Sequence, residues 1–368
     1  MPSPHCILSA AALRLVAVVA VGGAAATAAA SGRSSWVAVS FFAPGLVGPN
    51  VNAGRAQDGA SMVAFYDPAA GMYLRLLWLK RRFGFIAPLG AGAKFLIARR
   101  ARHGSLIREY NAATGEFTTD ERLPISLGDP NPPAFWWFKV GPGGLLWGMG
   151  AKGIVAYRWP SAKPVFRYRG PLAVGVPAIF PVKGGAVLAD TSVLANPAAS
   201  VSRRPRMLFL SLRGHAHRLQ VPRRFVGTPL FAAANGRALF GMTAFGGYYF
   251  RFRLAKNGDA GHFFERRVFG HRNGLQVYAF ARAGDGHGAL LVGRGGLDDR
   301  CQLWIIALRS GAVLDRWKFR LSGSAVVYLH GRFYVFALSG AVLVVNSAGK
   351  IVGRCMPPLP FSAVVSGR

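Results

Sequence analysis

The chain has 368 residues, 52% of them hydrophobic, with 47 Gly and 23 Pro. Lys and Arg number 45 against 14 Asp and Glu, a formal net charge of +31. This composition leaves ample apolar material for a large core. The lack, after residue 30, of any long apolar segment with a 3.6-residue period excludes a mainly helical protein.

The first segment reads as a targeting signal. Arg14 closes a mildly basic stretch, and residues 15–30 are apolar and Ala-rich. Ala26-Thr27-Ala28 and Ala28-Ala29-Ala30 offer small-residue cleavage sites. Residues 1–30 are therefore expected to be a secretory signal peptide, with an uncleaved anchor or an organellar transit peptide as alternatives. No membrane span is expected in the mature chain, and a secreted or periplasmic location follows.

Beyond residue 30 one pattern recurs: an apolar strand, a short polar turn with Gly or Pro, and a second strand. Such pairs begin at Met62, Leu106, Ile154, Met207, Tyr248, Leu303 and Val342, about 40 to 55 residues apart. Before each pair stands another, with turns such as Gly90 to Gly92, Pro142-Gly143-Gly144, Lys183-Gly184-Gly185, Asn235-Gly236-Arg237 and His330-Gly331-Arg332. Two hairpins per repeat make four strands, the unit of a β-propeller. The expectation is an all-β propeller of seven four-stranded blades over residues 31–358. In the first blade, residues 36–40 are expected as the inner strand and the second strand within residues 41–59. Residues 359–368 form a tail that could close the ring on the first blade.

The pieces FYDPAAGMY, EYNAATGEF and IIALRSGAVLDRW resemble quinoprotein-like (PQQ-type) repeats, and the same pieces resemble kelch-like repeats. The resemblance spans nearly all of the mature chain and is one of architecture. The WD dipeptide of WD40 repeats is absent, the kelch double Gly occurs only at Gly143-Gly144 and Gly184-Gly185, and the quinoprotein Trp is clear only at Trp317. No catalytic residue is carried over from either family.

In a propeller the loops between second and third strands, and those between blades, open on one face. That face is expected to be basic, through Lys80, Arg81, Arg82, Arg99, Arg100, Arg102, His103, Lys152, Arg203, Arg204, Arg206, Arg223, Arg224, Arg294 and Arg300. A positive face draws phosphate, sulfate or carboxylate groups, which Arg binds in a bidentate manner. The opposite face, made of the turns within hairpins, is expected to be only mildly charged.

Other candidates read as structural. Asp298-Asp299 neutralise Arg294 and Arg300. His215 and His217 would share a strand face without a third metal ligand, so they read as an exposed turn. Glu109, Glu116, Asp120 and Glu121 fit an outer, solvated strand. The adjacent rings Trp136-Trp137, Tyr248-Tyr249 and Phe263-Phe264 read as packing between blades. Cys6 falls in the signal segment, which leaves Cys301 and Cys355 either as buried free thiols or as a disulfide tying neighbouring blades. No nucleotide, flavin or metal fingerprint occurs, so no cofactor and no metal are expected. The expected function is a non-catalytic binding module for an anionic ligand or an acidic protein surface, with nucleic acid less favoured. A propeller enzyme acting at the channel mouth and an assembly scaffold are the alternatives.

Overall fold

In the computed structural model, residues 18–21, 36–42, 61–79, 83–89, 92–126, 138–150, 153–169, 177–190, 207–225, 230–243, 246–256, 258–270, 274–284, 286–294, 300–337 and 340–356 are described. They form seven antiparallel sheets arranged in a ring, a seven-bladed β-propeller. Blade 1 is β1 (Val18–Val21), β2 (Val37–Phe42), β3 (Ser61–Asp67) and β4 (Met72–Leu79). Blade 2 is β5 (Phe83–Pro88), β6 (Lys94–Ala101), β7 (Gly104–Asn111) and β8 (Glu116–Leu123). Blade 3 has β9 (Ile125–Ser126), β10 (Phe138–Gly141), β11 (Leu145–Gly150), β12 (Gly153–Arg158) and β13 (Lys163–Tyr168). Blade 4 is β14 (Pro177–Val182), β15 (Gly185–Asp190), β16 (Met207–Ser211) and β17 (Ala216–Arg218). Blade 5 is β18 (Leu230–Asn235), β19 (Ala238–Thr243), β20 (Tyr248–Leu254) and β21 (Ala260–Arg267). Blade 6 is β22 (Leu275–Ala283), β23 (His287–Arg294), β24 (Arg300–Ala307) and β25 (Val313–Arg320). Blade 7 is β26 (Gly323–Leu329), β27 (Arg332–Ala337), β28 (Val342–Val345) and β29 (Ile351–Cys355).

The outer hairpins fall where the sequence places them. Blade 1 differs at its inner edge. Residues 37–42 are its second strand, and the inner strand is β1, drawn from the apolar run of residues 15–30, with Val18 opposite Ser40 and Val21 opposite Val37. An Ala- and Val-rich run satisfies both descriptions, and only pairing separates them. Blade 1 thus has four strands of its own; the tail 359–368 lies outside the described residues. Blade 3 also departs from the simple pattern. Its β10 pairs with the first part of β11, while β9 pairs with Met149 and Gly150 at the other end.

The core is distributed over seven apolar clusters, one between each pair of adjacent blades. Side chains alternate across a strand, so one strand feeds two interfaces. In blade 7, Val326, Phe333, Val335, Leu343 and Val345 pack toward blade 6. Val327, Tyr334, Phe336, Val342 and Val344 pack toward blade 1. This explains why the strands read as unbroken apolar runs. It also corrects the disulfide. Cys301 and Cys355 are free thiols; Cys301 packs in the blade 6–7 interface and Cys355 against the blade 7–1 interface. The sheet of blade 7 stands between them. Burial pushes the Cys301 thiol up to about 11.

The ring closes on side chains. Tyr66 of β3 meets Tyr73, Tyr334 and Phe336 edge-on, with ring centroids 5.4, 5.8 and 6.0 Å apart. The Tyr73 hydroxyl donates to the Gly340 carbonyl at 2.7 Å, joining blade 1 to blade 7. The Tyr66 hydroxyl is buried and has no hydrogen-bond partner among the described residues. A buried polar group without a partner costs stability, whereas a satisfied one contributes about 1 kcal/mol net. The two tyrosines are therefore expected to respond oppositely in urea unfolding. Tyr73→Phe lowers stability by about 1 kcal/mol, and Tyr66→Phe leaves it unchanged or raises it.

Candidate basic clefts and the loop face

The up-and-down order of each sheet sends the turns within hairpins to one end of the ring. The loops between second and third strands, and between blades, go to the other end. At the loop end, Arg102 and His103 are exposed in the tight turn between β6 and β7, and Arg294 and Arg300 are exposed at the facing ends of β23 and β24. Arg99 and Arg100 are strand residues at the end of β6, and Arg99 is half-buried. Arg223 and Arg224 fall in a single 3-10 turn, Arg223–Phe225. Arg224 is already engaged: its Nε donates to Glu265 at 2.9 Å, and its guanidinium lies 5.0 Å from the centre of the Tyr248 ring. Lys80, Arg81, Arg82, Lys152, Arg203, Arg204, Arg206 and Asp298-Asp299 lie outside the described residues.

The turn end is more strongly charged than the sequence suggests. Between blades 4 and 5 lies a cleft of about 580 Å³ lined by Arg213, His215, His217, Arg237 and Lys256 over the Phe209 ring. A second cleft of about 560 Å³ runs along blade 5 and shares Arg237 and Lys256, adding Arg251, Arg253 and His262 beside Phe240 and Phe252. No Asp or Glu lines either cleft among the described residues. Each turn looks mild alone, because Arg213, Arg237 and Lys256 come from three different hairpins. Stacking of the blades gathers them.

Backbone bonds hold this arrangement. Leu212 N donates to Gly184 O at 3.0 Å, tying the two turns of blade 4 together. Lys183 N donates to Gly236 O at 2.8 Å, joining blade 4 to blade 5. Arg237 donates from Nε to Leu254 O at 3.1 Å and from Nη2 to Ala255 O. These carbonyls orient the guanidinium without cancelling its charge. Gly258 has φ +95°, and a Cβ there would stand 2.7 Å from the His217 ring. That close approach needs glycine and seats the blade 5 turn against the cleft wall. Asp259 lies in the same turn and lines neither cleft. His215 is exposed, and the His215 and His217 rings are 6.1 Å apart. No group of three metal-ligating side chains forms among the described residues.

The described inner strands, which face the central channel, carry no Asp, Glu or His; their charged residues are Lys139 and Arg282. Burial pulls the Lys139 ammonium down to about 8. The aromatic pairs are packing elements where described: Phe263 joins the blade 4–5 core and Phe264 the blade 5–6 core. Tyr249 is buried and donates to Leu308 O at 2.6 Å, from blade 5 to blade 6.

Glu109 departs from the solvated role expected of it. It sits on the third strand of blade 2 and is 5% exposed. Its carboxylate accepts from Lys94 Nζ at 2.7 Å and from the indole Nε1 of Trp159, in blade 3, at 2.8 Å. Burial alone would raise its pKa, but the hydrogen bonds from Lys94, Trp159 and Thr118 outweigh burial and hold it below the usual carboxylate range. It is an inter-blade tie. Glu116 and Asp120 are exposed on β8, as expected, and Asp120 accepts from Arg108 Nε at 2.6 Å.

No protein-family model matches the sequence, and no curated protein matches it. Solved structures match in fold. Hsv2 of Kluyveromyces lactis is 9% identical, with 88% of this chain and 96% of that chain covered and a TM-score of 0.53. A catalytically inactive virginiamycin B lyase from Staphylococcus aureus, solved with quinupristin, is 10% identical over 90% and 94%, with a TM-score of 0.54. A functionally unknown protein from Desulfotomaculum acetoxidans is 11% identical over 80% and 96%, with a TM-score of 0.52. At these identities the likeness is one of fold.

The Glu109 tie has a pH signature. A depressed carboxylate contributes stability that is fully present above its unfolded pKa of about 4.3 and is lost as pH falls through the lower folded value. Glu109→Gln is expected to cost about 2 kcal/mol at neutral pH, the scale of a charged hydrogen bond. In urea titrations from pH 7 down to pH 3, the gap between wild type and Glu109→Gln should close below about pH 4.

Proposed function

We propose that the protein is a non-catalytic binding module of a secreted or periplasmic compartment. Its basic loop face recognises an anionic partner: an acidic glycan, a lipid headgroup or an acidic protein surface. The observation that carries this reading is the exposed guanidinium groups of Arg102, Arg294 and Arg300, beside His103, at one end of a rigid ring. Three acidic side chains are paired elsewhere: Glu109 with Lys94, Asp120 with Arg108 and Glu265 with Arg224. Charge on loops of a fixed scaffold is a common recognition device. The lyase among the structural neighbours shares the ring, and a shared ring does not carry its chemistry across.

The export reading of residues 1–30 belongs to the same proposal. Cleavage after Ala28 or Ala30 would remove β1 and leave β2 as the inner edge of blade 1. Sequencing the N-terminus of the secreted chain checks it; a first residue at 29 or 31 is expected.

Binding is tested with anionic vesicles, sulfated and carboxylated glycans and an acidic protein, at about 50 and about 300 mM salt. A phosphate- or sulfate-directed face should lose at least about tenfold in affinity across that range. Arg102→Ala with Arg294→Ala, and separately Arg203, Arg204 and Arg206→Ala, should weaken binding and flatten its salt dependence. A folded wild type that binds none of these at low salt defeats the proposal.

A further inference from the structure

The two clefts at the turn end are a separate matter from the loop face, since they open at the other end of the ring. We propose that they form one binding site for an acidic oligosaccharide, running from the blade 4–5 junction along blade 5. The site is new with respect to the loop-face reading and does not depend on it.

The argument begins with shape. Each cleft has the volume of a small-ligand site, about 580 and 560 Å³. They share Arg237 and Lys256, so the boundary between them is a cationic ridge rather than an apolar wall. A single inorganic anion needs one nook of that kind. Two adjoining clefts with a charged ridge between them fit a chain of rings that carries negative charge at intervals.

Chemistry narrows the class further. Arg213 and Lys256 are exposed on turns, whereas Arg237 is held by two carbonyls of the blade 5 turn. One oriented guanidinium and two exposed cations suit sulfate or carboxylate groups on successive sugars. His215 and His217 add imidazole donors and flat faces beside Arg213. The cross-blade bond from Lys183 N to Gly236 O fixes the floor before a ligand arrives, which lowers the entropic cost of binding.

Single-stranded nucleic acid is the competing polyanion, and it requires protruding aromatic platforms on which bases stack. The two phenylalanines of the blade 4–5 core do not offer them. Phe209 and Phe252 are each 3% exposed, locked in the blade 4–5 core.

The probe is a fluorescent heparin-derived tetrasaccharide, with neutral maltotetraose and an eight-residue oligothymidylate as comparisons, titrated into the full chain. Wild type is expected to bind the tetrasaccharide, to ignore maltotetraose and to bind the oligothymidylate more weakly. Arg213→Ala with Lys256→Ala removes two exposed side chains and should weaken tetrasaccharide binding at least about tenfold. Arg122→Ala with Arg167→Ala, exposed on the outer strands β8 and β13, should leave it within about twofold, whereas the loop-end variant, Arg102→Ala with Arg294→Ala, reports on the loop-face reading. Unchanged affinity in the Arg213/Lys256 variant overturns the proposal. So does tetrasaccharide binding that only the loop-end variant abolishes, an outcome that leaves the loop-face reading intact. Oligothymidylate binding as tight as the tetrasaccharide, and equally lost with Arg213 and Lys256, would make this a nucleic-acid site instead.

Discussion

Each blade of this ring must be apolar on both of its faces, and nearly everything else in the molecule follows from that requirement. A sheet with one wet face can stand at the surface; a sheet between two others cannot. The consequence is a core cut into seven slices, each fed by alternate residues of the same strands. Several polar groups enter those slices with a partner in hand, although the Tyr66 hydroxyl has none among the described residues. Glu109 enters with Lys94 and Trp159, Tyr73 with Gly340 and Tyr249 with Leu308. These partners are distant in sequence and adjacent in space, so the polar contacts double as blade-to-blade ties.

The same requirement pushes charge to the two ends of the ring and to the outermost strands. Among the described residues, Arg102, Arg294 and Arg300 stand at the loop end and Arg213, Arg237 and Lys256 at the turn end. The loop end displays its charge on separate, exposed side chains. The turn end gathers it into clefts, because neighbouring hairpins lean together there and share walls. The two ends therefore differ in kind: one offers a field, the other a shaped site.

How much of this the sequence discloses depends on the range of the interaction. Strand-turn-strand spacing is local, and the outer hairpins from Met62 to Val342 are readable from it. The blade count follows from their recurrence. The inner strand of blade 1 is not readable in the same way, because an apolar run such as residues 18–21 looks alike as a strand and as a leader. Glu109 is misread for a different reason. Its neighbours Glu116 and Asp120 are exposed, and only the arrival of Trp159 from the next blade turns its position into an interior one. The clefts at the turn end are invisible for a third reason. Arg213, Arg237 and Lys256 sit in turns that are individually unremarkable, and their convergence is set by stacking. The disulfide considered for Cys301 and Cys355 fails on the same ground: the sequence places both near the end of the ring, while alternation sends them to opposite sides of blade 7.

Among the described residues the ring closes with no strand shared between its first and last blades, and this also bears on how such a protein can change over generations. Each described blade is assembled from one continuous run of chain, and blades 1 and 7 meet through rings and the hydrogen bond from Tyr73 to Gly340. Duplicating or deleting one four-strand unit would leave every remaining strand with the partners it already has. Only the tilt at each interface would need to adjust, spread over all the slices. Blade number in this architecture is thus a quantity that whole-unit gain or loss can alter, while the hairpins themselves stay unchanged.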